Sequence, residues 1–368
     1  MSSQTEQAAI PVILVSGVEP EAMAAATIAL QWDLPAAVVM RHDIDPEAEM
    51  LVRTISDATG LIERREIDVE HACISCAIRE DIVPTLERLA ASGRWGAIIA
   101  QLPVTAEFTQ VCRVLGYTPE VAPQVRVAAT VVALDGETVI DDLLGDDLLV
   151  ERVLPVREDD QCGVGETASA MVEYADVVAI FGEHEPRAWE VVHALVRPGA
   201  MLTTAIGEVD VELLLAGVHD HDHSEDWAAV VRSGDVPSHD GDAWVLDLRS
   251  ERPFHPGRLM EHVEALGRGA RRSRGCFWLP TRPAQVCQWD GAGGMVSIGP
   301  AHHWETTAPL TRIVVVGLDD GRDALEQTFH ACLLTDEELA ERGRFWEVAD
   351  DGFEPWLGPV RNVMSTEV

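Results

Sequence analysis

Short, uninterrupted apolar runs alternate with segments of helical spacing along the first two hundred residues. The runs that predict strands are 12–15, 36–40, 60–68, 96–100, 125–134, 176–181 and 200–205, and helices are predicted at 21–30 and 78–90. Apolar strands separated by helices are typical of βαβ units whose parallel sheet is covered on both faces. The pattern therefore predicts an α/β fold, with a mostly parallel sheet and flanking helices.

The hydrophobic pattern changes after residue 215. Residues 216–242 are polar, acidic and rich in histidine, which predicts a linker. Beyond it, strands are predicted near 243–248, 275–279, 285–289, 295–298 and 312–318, with helices at 256–266 and 323–332. Mostly antiparallel strands with two helices indicate a smaller α+β domain. The predicted organisation is an α/β domain at 1–215, the linker at 216–242, an α+β domain at 243–350 and a tail at 351–368.

The charge of the chain is strongly one-sided. Of its 368 residues 63 are acidic and 27 are basic, giving a formal net charge of −36, and every basic residue is an arginine. The absence of lysine excludes mechanisms that need one, such as a phosphate-binding lysine, a Schiff base or a lysine general base. Binding along a nucleic-acid backbone needs clustered positive charge, and the basic run at 268–274 is short. The composition therefore indicates no direct DNA binding, and favours a basic protein as the partner if the chain works near nucleic acid.

Three further features bear on the compartment of the protein. No apolar stretch reaches the length of a membrane span, and the N-terminus has no basic segment of the kind that opens a signal peptide. The seven cysteines are irregularly spaced in a long chain, which is not the pattern of a disulfide framework. We expect a reduced, cytoplasmic protein that does not enter a membrane.

The clearest metal signal is the run from His71 to Cys76, His-Ala-Cys-Ile-Ser-Cys. The thiolates of Cys73 and Cys76, separated by two residues, can chelate one zinc ion, and His71 is near enough in sequence to join them. Because zinc usually takes four ligands, the remainder must come from distant residues or from a second protein. A redox switch and a pair of buried structural cysteines are the alternatives that the residues leave open.

A second group of metal-binding side chains lies in the predicted linker. His219, His221 and His223 alternate with aspartates, and Glu225 and Asp226 follow them. Alternating imidazoles can hold divalent metals transiently, with little control of geometry. A solvated loop with no metal role is the plain alternative.

The turn after the first predicted strand is where an α/β protein would place a phosphate-binding loop. Such a loop needs glycines for close backbone approach, a lysine, and a serine or threonine for magnesium. Residues 17–25 instead place Pro20, which lacks a backbone N–H donor, between Glu19 and Glu21. This composition disfavours a nucleoside triphosphate site at the turn.

The order of motifs in the C-terminal half resembles the CobW-type metallochaperone GTPase family. The motifs that carry the resemblance are Arg-Pro-Phe-His-Pro-Gly-Arg-Leu at 252–259, Arg-Gly-Cys-Phe-Trp-Leu at 274–279, Gln-Trp at 288–289 with Ala-Gly-Gly at 292–294, and Ala-Cys-Leu-Leu-Thr-Asp-Glu-Glu at 331–338. The acidic, histidine-rich segment also sits where the family has one. The resemblance extends over nearly the whole chain, and it implies a P-loop-NTPase-like first domain followed by a CobW C-terminal domain.

The same resemblance implies that the nucleotide-binding residues are lost. The family's phosphate loop begins here at Gly17, with Met23 in place of its lysine and Ala24 in place of its magnesium-binding hydroxyl. The family's acidic residue at the end of the fourth strand and its guanine-reading motif fall on Ala100 or Gln101 and on Phe-Gly-Glu-His at 181–184. The resemblance thus implies a pseudo-GTPase that is not an enzyme, and we expect no GTP cofactor.

The family's metal motif, CxCC, corresponds to the segment from Cys73 to Cys76, with Ser75 in place of its middle cysteine. The chain resembles a branch of the family in which a CxxC protein recruits a ribosome hibernation factor to ribosomes when zinc is scarce. This implies a zinc-responsive, non-enzymatic adaptor whose partners are the basic hibernation factor and the ribosome. The alternative is a zinc metallochaperone with residual nucleotide binding that delivers zinc to a client protein, and a thiol redox sensor is a third reading.

Overall fold

The structure, a computed structural model, describes residues 9–45, 48–68, 73–152, 161–229, 236, 241–304 and 307–360. The chain divides into two compact units, one formed by Met1–Asp142 with Asp147–Ala228 and the other by Leu143–Asp146 with Ala229–Val368. The first unit therefore extends past residue 215, into the segment that the sequence predicts as a linker.

Within the described residues, the first unit is built on a sheet of eight strands. The strands are β1 (Ile10–Ser16), β2 (Ala37–Asp45), β3 (Met50–Asp57), β4 (Gly60–Asp68), β5 (Ala97–Gln101), β6 (Val125–Asp135), β7 (Val177–Phe181) and β8 (Met201–Thr203). The helices are α1 (Pro20–Asp33), α2 (Ile74–Ala77), α3 (Val83–Ala91), α4 (Phe108–Tyr117), α5 (Val139–Leu144), α6 (Val164–Tyr174), α7 (Pro186–Leu195), α8 (Val211–Gly217) and α9 (His221–Ala229). A π-helical turn, Ile78–Ile82, joins α2 to α3, and 3₁₀ turns lie at Pro119–Val121 and Ile206–Glu208.

The strand order is β4-β3-β2-β5-β1-β6-β7-β8. From β2 to β8 each strand is parallel to its neighbour, whereas β3 and β4 are antiparallel additions at one edge. The prediction of a mostly parallel sheet with helices is thus confirmed. Because β1 lies between β5 and β6, its carboxyl end falls in the middle of the edge where open α/β sheets bind their ligands.

Burial differs between the central strands and β3 near the edge of this sheet. Every residue of β5 is buried, as expected for a strand covered on both faces. The strand β3 is absent from the predictions because its core-facing positions are Leu51, Arg53 and Ile55, and the arginine interrupts the apolar alternation. The partners of Arg53 are part of the candidate site.

The second unit is an antiparallel sheet with helices. Its strands are β9 (Trp244–Ser250), β10 (Arg271–Phe277), β11 (Gln285–Ala292), β12 (Met295–His303) and β13 (Thr311–Gly317), in the order β12-β11-β10-β13-β9. Its helices are α10 (Pro256–Gly267), α11 (Arg322–Cys332), α12 (Asp336–Arg342) and α13 (Glu354–Leu357). The core is aromatic, and Phe254 contacts both Phe277 and Phe329. The prediction of a smaller α+β domain is confirmed.

Two of the sequence motifs in this unit meet in space. Arg258 binds the carboxylate of Glu338 through two hydrogen bonds of 2.6 and 2.8 Å. This arginine lowers the pKa of Glu338 to about 2. The side chain of Glu338 also accepts a hydrogen bond from the backbone N–H of Thr335, which completes a capping box at the start of α12. The motifs at 252–259 and 331–338 are therefore structural partners.

The basic run at 268–274 is largely occupied by ion pairs. Arg271 lies 2.8 Å from Asp319, and Arg272, almost fully buried, pairs with Asp290. These two arginines are therefore engaged in ion pairs within the second unit. No helix in the described part of the chain is long and apolar enough to cross a membrane.

Candidate functional site

The two cysteines of the predicted zinc motif lie at the start of one helical segment. Cys73 has an extended backbone and precedes α2, and its Sγ accepts a hydrogen bond from the backbone N–H of Cys76 at 3.5 Å. Cys73 is half-buried, Cys76 is buried and Ser75 between them is exposed. Hydrogen bonding with Cys73 and burial both raise the pKa of the Cys76 thiol. The pair is therefore close enough to share a metal, and the second thiol must lose a firmly held proton to do so.

The π-helical turn after the cysteines carries the carboxylate that ties this segment to the sheet. Asp81 Oδ2 lies 2.7 Å from Nε2 of the fully buried His42 on β2, and the other oxygen pairs with Arg53 on β3. Arg53 also pairs with Glu63 on β4 and donates to Thr85 Oγ1 on α3. These contacts fix the segment that begins at the cysteines against β2 and β3, and the Arg53–Glu63 pair links β3 to β4.

His42 is neutral in this cluster, because burial lowers its pKa. A carboxylate only accepts hydrogen bonds, so Nε2 donates to Asp81 and Nδ1 is left with a lone pair. Among the described residues this Nδ1 has no hydrogen-bond partner. Sequence reasoning misses the cluster, since His42 and Asp81 are 39 residues apart and no spacing rule connects them.

The described residues supply half of a zinc site. Two thiolates fit the preference of zinc for sulfur, but a structural site takes four ligands. His71, the third predicted ligand, lies outside the described residues. In the part of the chain that the structure describes, no three histidine, cysteine or acidic side chains converge in an arrangement that could hold a metal. The cysteine pair therefore remains the predicted core of the site.

The structure brings His219 and His221 together, in a buried cluster of the first unit. His219 Nδ1 lies 3.0 Å from Asp176 Oδ2, and Tyr174 Oη lies 3.3 Å from His219 Nε2 and 2.6 Å from His221 Nδ1. His223 is exposed on α9. A metal role of these three histidines stays a prediction. Both ring nitrogens of His219 already have protein partners, and so has Nδ1 of His221.

The turn at the predicted phosphate-loop position is short and closely packed. Between the end of β1 and the start of α1 at Pro20 lie only three residues, the first of them Gly17 and the last Glu19. A Cβ on Gly17 would come within 2.5 Å of the carbonyl oxygen of Ala133. The side chain of Met23 is fully buried in the core of the unit. The backbone thus passes from strand to helix within three residues, and Pro20 at the helix start offers no N–H.

Arg152 forms a cluster with acidic side chains at the same edge of the sheet. Its guanidinium lies 2.6 Å from Asp147, 2.9 Å from the buried Asp142 and 3.5 Å from Glu19. Burial raises the pKa of both Glu19 and Asp142, and repulsion from a neighbouring carboxylate adds to each effect, from Asp142 on Glu19 and from Asp135 on Asp142. A triphosphate at this position would meet like charge, whereas the guanidinium is already engaged.

The family resemblance places two further nucleotide-binding motifs, one at the end of β5 and one after β7, and the chain has different side chains at both positions. Gln101, at the carboxyl end of β5, is buried and accepts a hydrogen bond from Thr27 Oγ1 at 3.0 Å. After β7, the residues at 182–184 carry Glu183 and His184 beside Glu137, where a guanine-reading loop would supply an amide and an aspartate. These side chains differ from the acidic residue and the guanine-reading motif that the family resemblance would place here.

Comparisons with known proteins point to zinc. Residues 244–333 match the model of the cobalamin synthesis protein cobW C-terminal domain. The chain is 27% identical over 361 residues to the zinc chaperone Rv0106 of Mycobacterium tuberculosis, with 87% of each chain covered. It is 20% identical over 341 residues to zinc-regulated GTPase metalloprotein activator 1 of Dictyostelium discoideum, covering 80% of this chain and 70% of that protein.

Among solved structures, Zn(II)-bound YjiA GTPase from E. coli aligns with a TM-score of 0.35 at 14% identity, over 88% of this chain and 99% of that one. The match to the family model shows that the chain carries a CobW C-terminal domain. The curated relatives show that it is similar to a zinc chaperone along most of its length.

Proposed function

We propose that this protein, with its CobW C-terminal domain and its similarity to zinc chaperones, handles zinc through Cys73 and Cys76 without hydrolysing GTP. The observation that carries the proposal is a contrast within the first unit. The cysteine pair is present and close together, whereas the turn after β1 has three residues and leads into Pro20, which offers no N–H. This contrast favours metal binding without nucleotide binding.

The geometry of the turn supports the loss of nucleotide binding independently of the missing lysine. A phosphate loop offers a series of backbone N–H groups at the start of a helix. Here Pro20 opens the helix without an N–H, and the carboxylates of Glu19 and Asp142 occupy its approach. Restoring Lys and Thr at 23 and 24 alone would place them inside a packed core rather than beside a phosphate, since Met23 is fully buried.

Zinc exchange at the cysteine pair is expected to depend on pH. Both thiols must be deprotonated to bind the metal, and the pKa of Cys76 is raised by Cys73 and by burial. Zinc binding therefore releases protons and weakens as the pH falls. A site of this kind binds zinc when the metal is plentiful and empties when it is scarce.

Two finer functions follow from a zinc-responsive protein without GTPase chemistry. The names of the relatives favour delivery of zinc to a client protein. The net charge of −36 and the short turn that leads into Pro20 favour an adaptor that recruits a basic ribosome hibernation factor to ribosomes when zinc is scarce. In both cases the zinc state of the cysteine pair controls a contact with another protein.

The proposal is tested by measuring zinc and nucleotide binding on the same purified protein. Competition with a chromophoric chelator is expected to show zinc binding that the double variant Cys73→Ser, Cys76→Ser loses, with Cys162→Ser as the matched control because Cys162 is an exposed cysteine outside the pair. Calorimetric titration with GTP and magnesium is expected to show no heat of binding. Micromolar GTP affinity would refute the nucleotide-independent mechanism, and zinc binding that survives the double variant would refute the site.

The two finer functions are separated by their responses to zinc. An adaptor is expected to bring a purified hibernation factor into the ribosome pellet only when zinc is chelated, and the cysteine variant to do so at any zinc level. A zinc chaperone is expected instead to transfer zinc to an apo-enzyme faster than free zinc at the same buffered concentration. A protein that does neither would contradict both functions.

A further inference from the structure

Helix α1 carries an apolar face that the first unit leaves uncovered. Trp32 exposes 85% of its surface and Ile28 exposes 65%. The two residues are four apart and therefore stand next to each other on the helix surface. Beside them runs a groove lined by Ala25, Ile28, Ala29, Trp32, Asp33 and Gly207. A contiguous apolar surface of this kind marks an interaction site more often than a single exposed side chain does.

The relief of this surface suits another helix. Ala25 and Ala29 form a row of small side chains at i, i+4 spacing, and Ile28 and Trp32 form a parallel row of large ones. The small side chains form a groove beside the ridge of large ones, and a ridge of side chains on a second helix can pack into such a groove. On the other side of the groove Gly207 presents no side chain, so a second helix can approach α1 closely.

The charges around the groove indicate the charge of the partner that would bind there. Asp33 lies at its edge, with its carboxylate about 4.0 Å from the Cβ position of Gly207. Exposed acidic side chains also lie on the elements that form the groove, at Glu21 on α1 and at Glu208 and Glu212 close to Gly207 in sequence. The residues that line the groove include no arginine. A second copy of this chain would bring these carboxylates against one another, whereas a basic partner would be attracted to them.

We propose that the α1 face, defined as Ala25, Ile28, Ala29 and Trp32, is the docking surface for a basic amphipathic helix of a protein partner. The apolar side of that helix covers Trp32 and Ile28, and its lysines or arginines face Asp33 and the neighbouring glutamates. The inference rests on the proposed function in one respect, that the protein acts through a protein partner, and it supplies the binding face and the partner chemistry.

A designed peptide tests the surface without knowledge of the natural partner. The probe is a fluorescein-labelled helical peptide with leucine on one face and lysine on the other, and its control has glutamate in place of lysine. By fluorescence anisotropy the lysine peptide is expected to bind the full-length protein, and the double variant Ile28→Ala, Trp32→Ala to bind at least about tenfold more weakly, as for a central aromatic anchor. Leu61→Ala is the matched control, since Leu61 is an exposed apolar residue elsewhere in the first unit.

Each outcome of this experiment decides the proposal. Equal affinity of the lysine peptide for wild type and the double variant, or equal binding of the glutamate peptide, would overturn it. Sedimentation showing a dimer that the double variant dissolves would assign the face to a second copy and would also overturn it. The variant is expected to fold, because both side chains are mostly exposed. The two proposals are tested separately. Zinc binding by the variant Cys73→Ser, Cys76→Ser bears only on the proposed function, whereas peptide binding by Ile28→Ala, Trp32→Ala bears on the α1 face.

Discussion

At the residue scale, His219 shows how its partners set the charge of a buried side chain. Burial opposes a positive charge, but hydrogen bonding to Asp176 and the contact with Cys112 outweigh it and raise the pKa of His219 to about 9. The imidazole is therefore protonated at neutral pH, and both its N–H groups donate, one to Asp176 and the other to Tyr174. The hydroxyl of Tyr174 then donates to Nδ1 of His221. A protonated imidazole is not a metal ligand, so zinc binding here would first have to remove this proton.

The charge of His219 predicts a stability contribution that depends on pH. Because the pKa in the folded state, about 9, lies above the usual value of 6.5, the contribution is fully present below pH 6.5 and is lost as the pH rises through 9. His219→Gln is expected to lower the free energy of unfolding by about 1–3 kcal/mol at pH 6, the cost of a broken buried hydrogen bond to a charged group, and by less at high pH. Urea unfolding monitored by tryptophan fluorescence measures the difference. His223→Gln, on the exposed side of α9, is the control, and a difference that stays constant between these pH values would contradict the assignment.

At the element scale, the helical segment that starts at Cys73 depends on the π-helical turn. An extra residue per turn at Ile78–Ile82 places Asp81 against His42 and Arg53 while the cysteines stay at the helix start. Interruptions of this kind are frequent at functional sites. We call the contacts of Asp81 with His42 and Arg53 the Asp81 anchor. Through this anchor the strands of the sheet set the position of the two thiols.

The anchor predicts that zinc affinity depends on a residue that does not bind zinc. Asp81→Asn removes the carboxylate between His42 and Arg53, and it is expected to weaken zinc binding by about 10–100-fold, as for residues that orient metal ligands. The same variant is expected to lose about 3 kcal/mol of stability, because Arg53 loses a buried partner. Chelator competition on protein shown to be folded by circular dichroism measures the first effect. Glu66→Gln, on the exposed strand β4, is the control, and unchanged zinc affinity in a destabilised Asp81→Asn would show that the anchor is structural only.

The elements differ in how far their sequence reveals them. The parallel strands are predicted correctly, because continuous apolar runs are a local signal, whereas the metal role of the cysteine pair, read from its CxxC spacing, stays a prediction. The helix α9 lies inside the segment 216–242, which reads as a linker, since a stabilising contact of this helix comes from Tyr174, far away in sequence. The contacts of Arg152 with Glu19, which fill the phosphate-loop position, join residues 133 apart. Contacts of this range have no signature in a single sequence.

At the scale of the whole molecule, the charge of −36 is only partly balanced within the fold. The arginines on β10 and β13 are held by aspartates of the same unit, as in the pairs Arg271–Asp319 and Arg312–Asp247. Since there are 63 acidic residues for 27 arginines, an acidic excess remains even if each arginine pairs with one carboxylate. This excess attracts basic proteins and repels nucleic-acid backbones, in agreement with the docking surface proposed on α1.

The same acidic excess predicts an unusual response to salt. Repulsion among like charges opposes the compact state, and salt screens it, because the Debye length falls from about 30 Å at 0.01 M to about 3 Å at 1 M. The free energy of unfolding in urea is therefore expected to rise as sodium chloride increases over this range, although each surface ion pair weakens. Chloride is the appropriate anion, since sulfate would strengthen apolar burial in any protein. A fall in stability with chloride would show that the ion pairs outweigh the repulsion. The surface carboxylates would then be paired with arginines within the fold, and they would not be available to a basic partner.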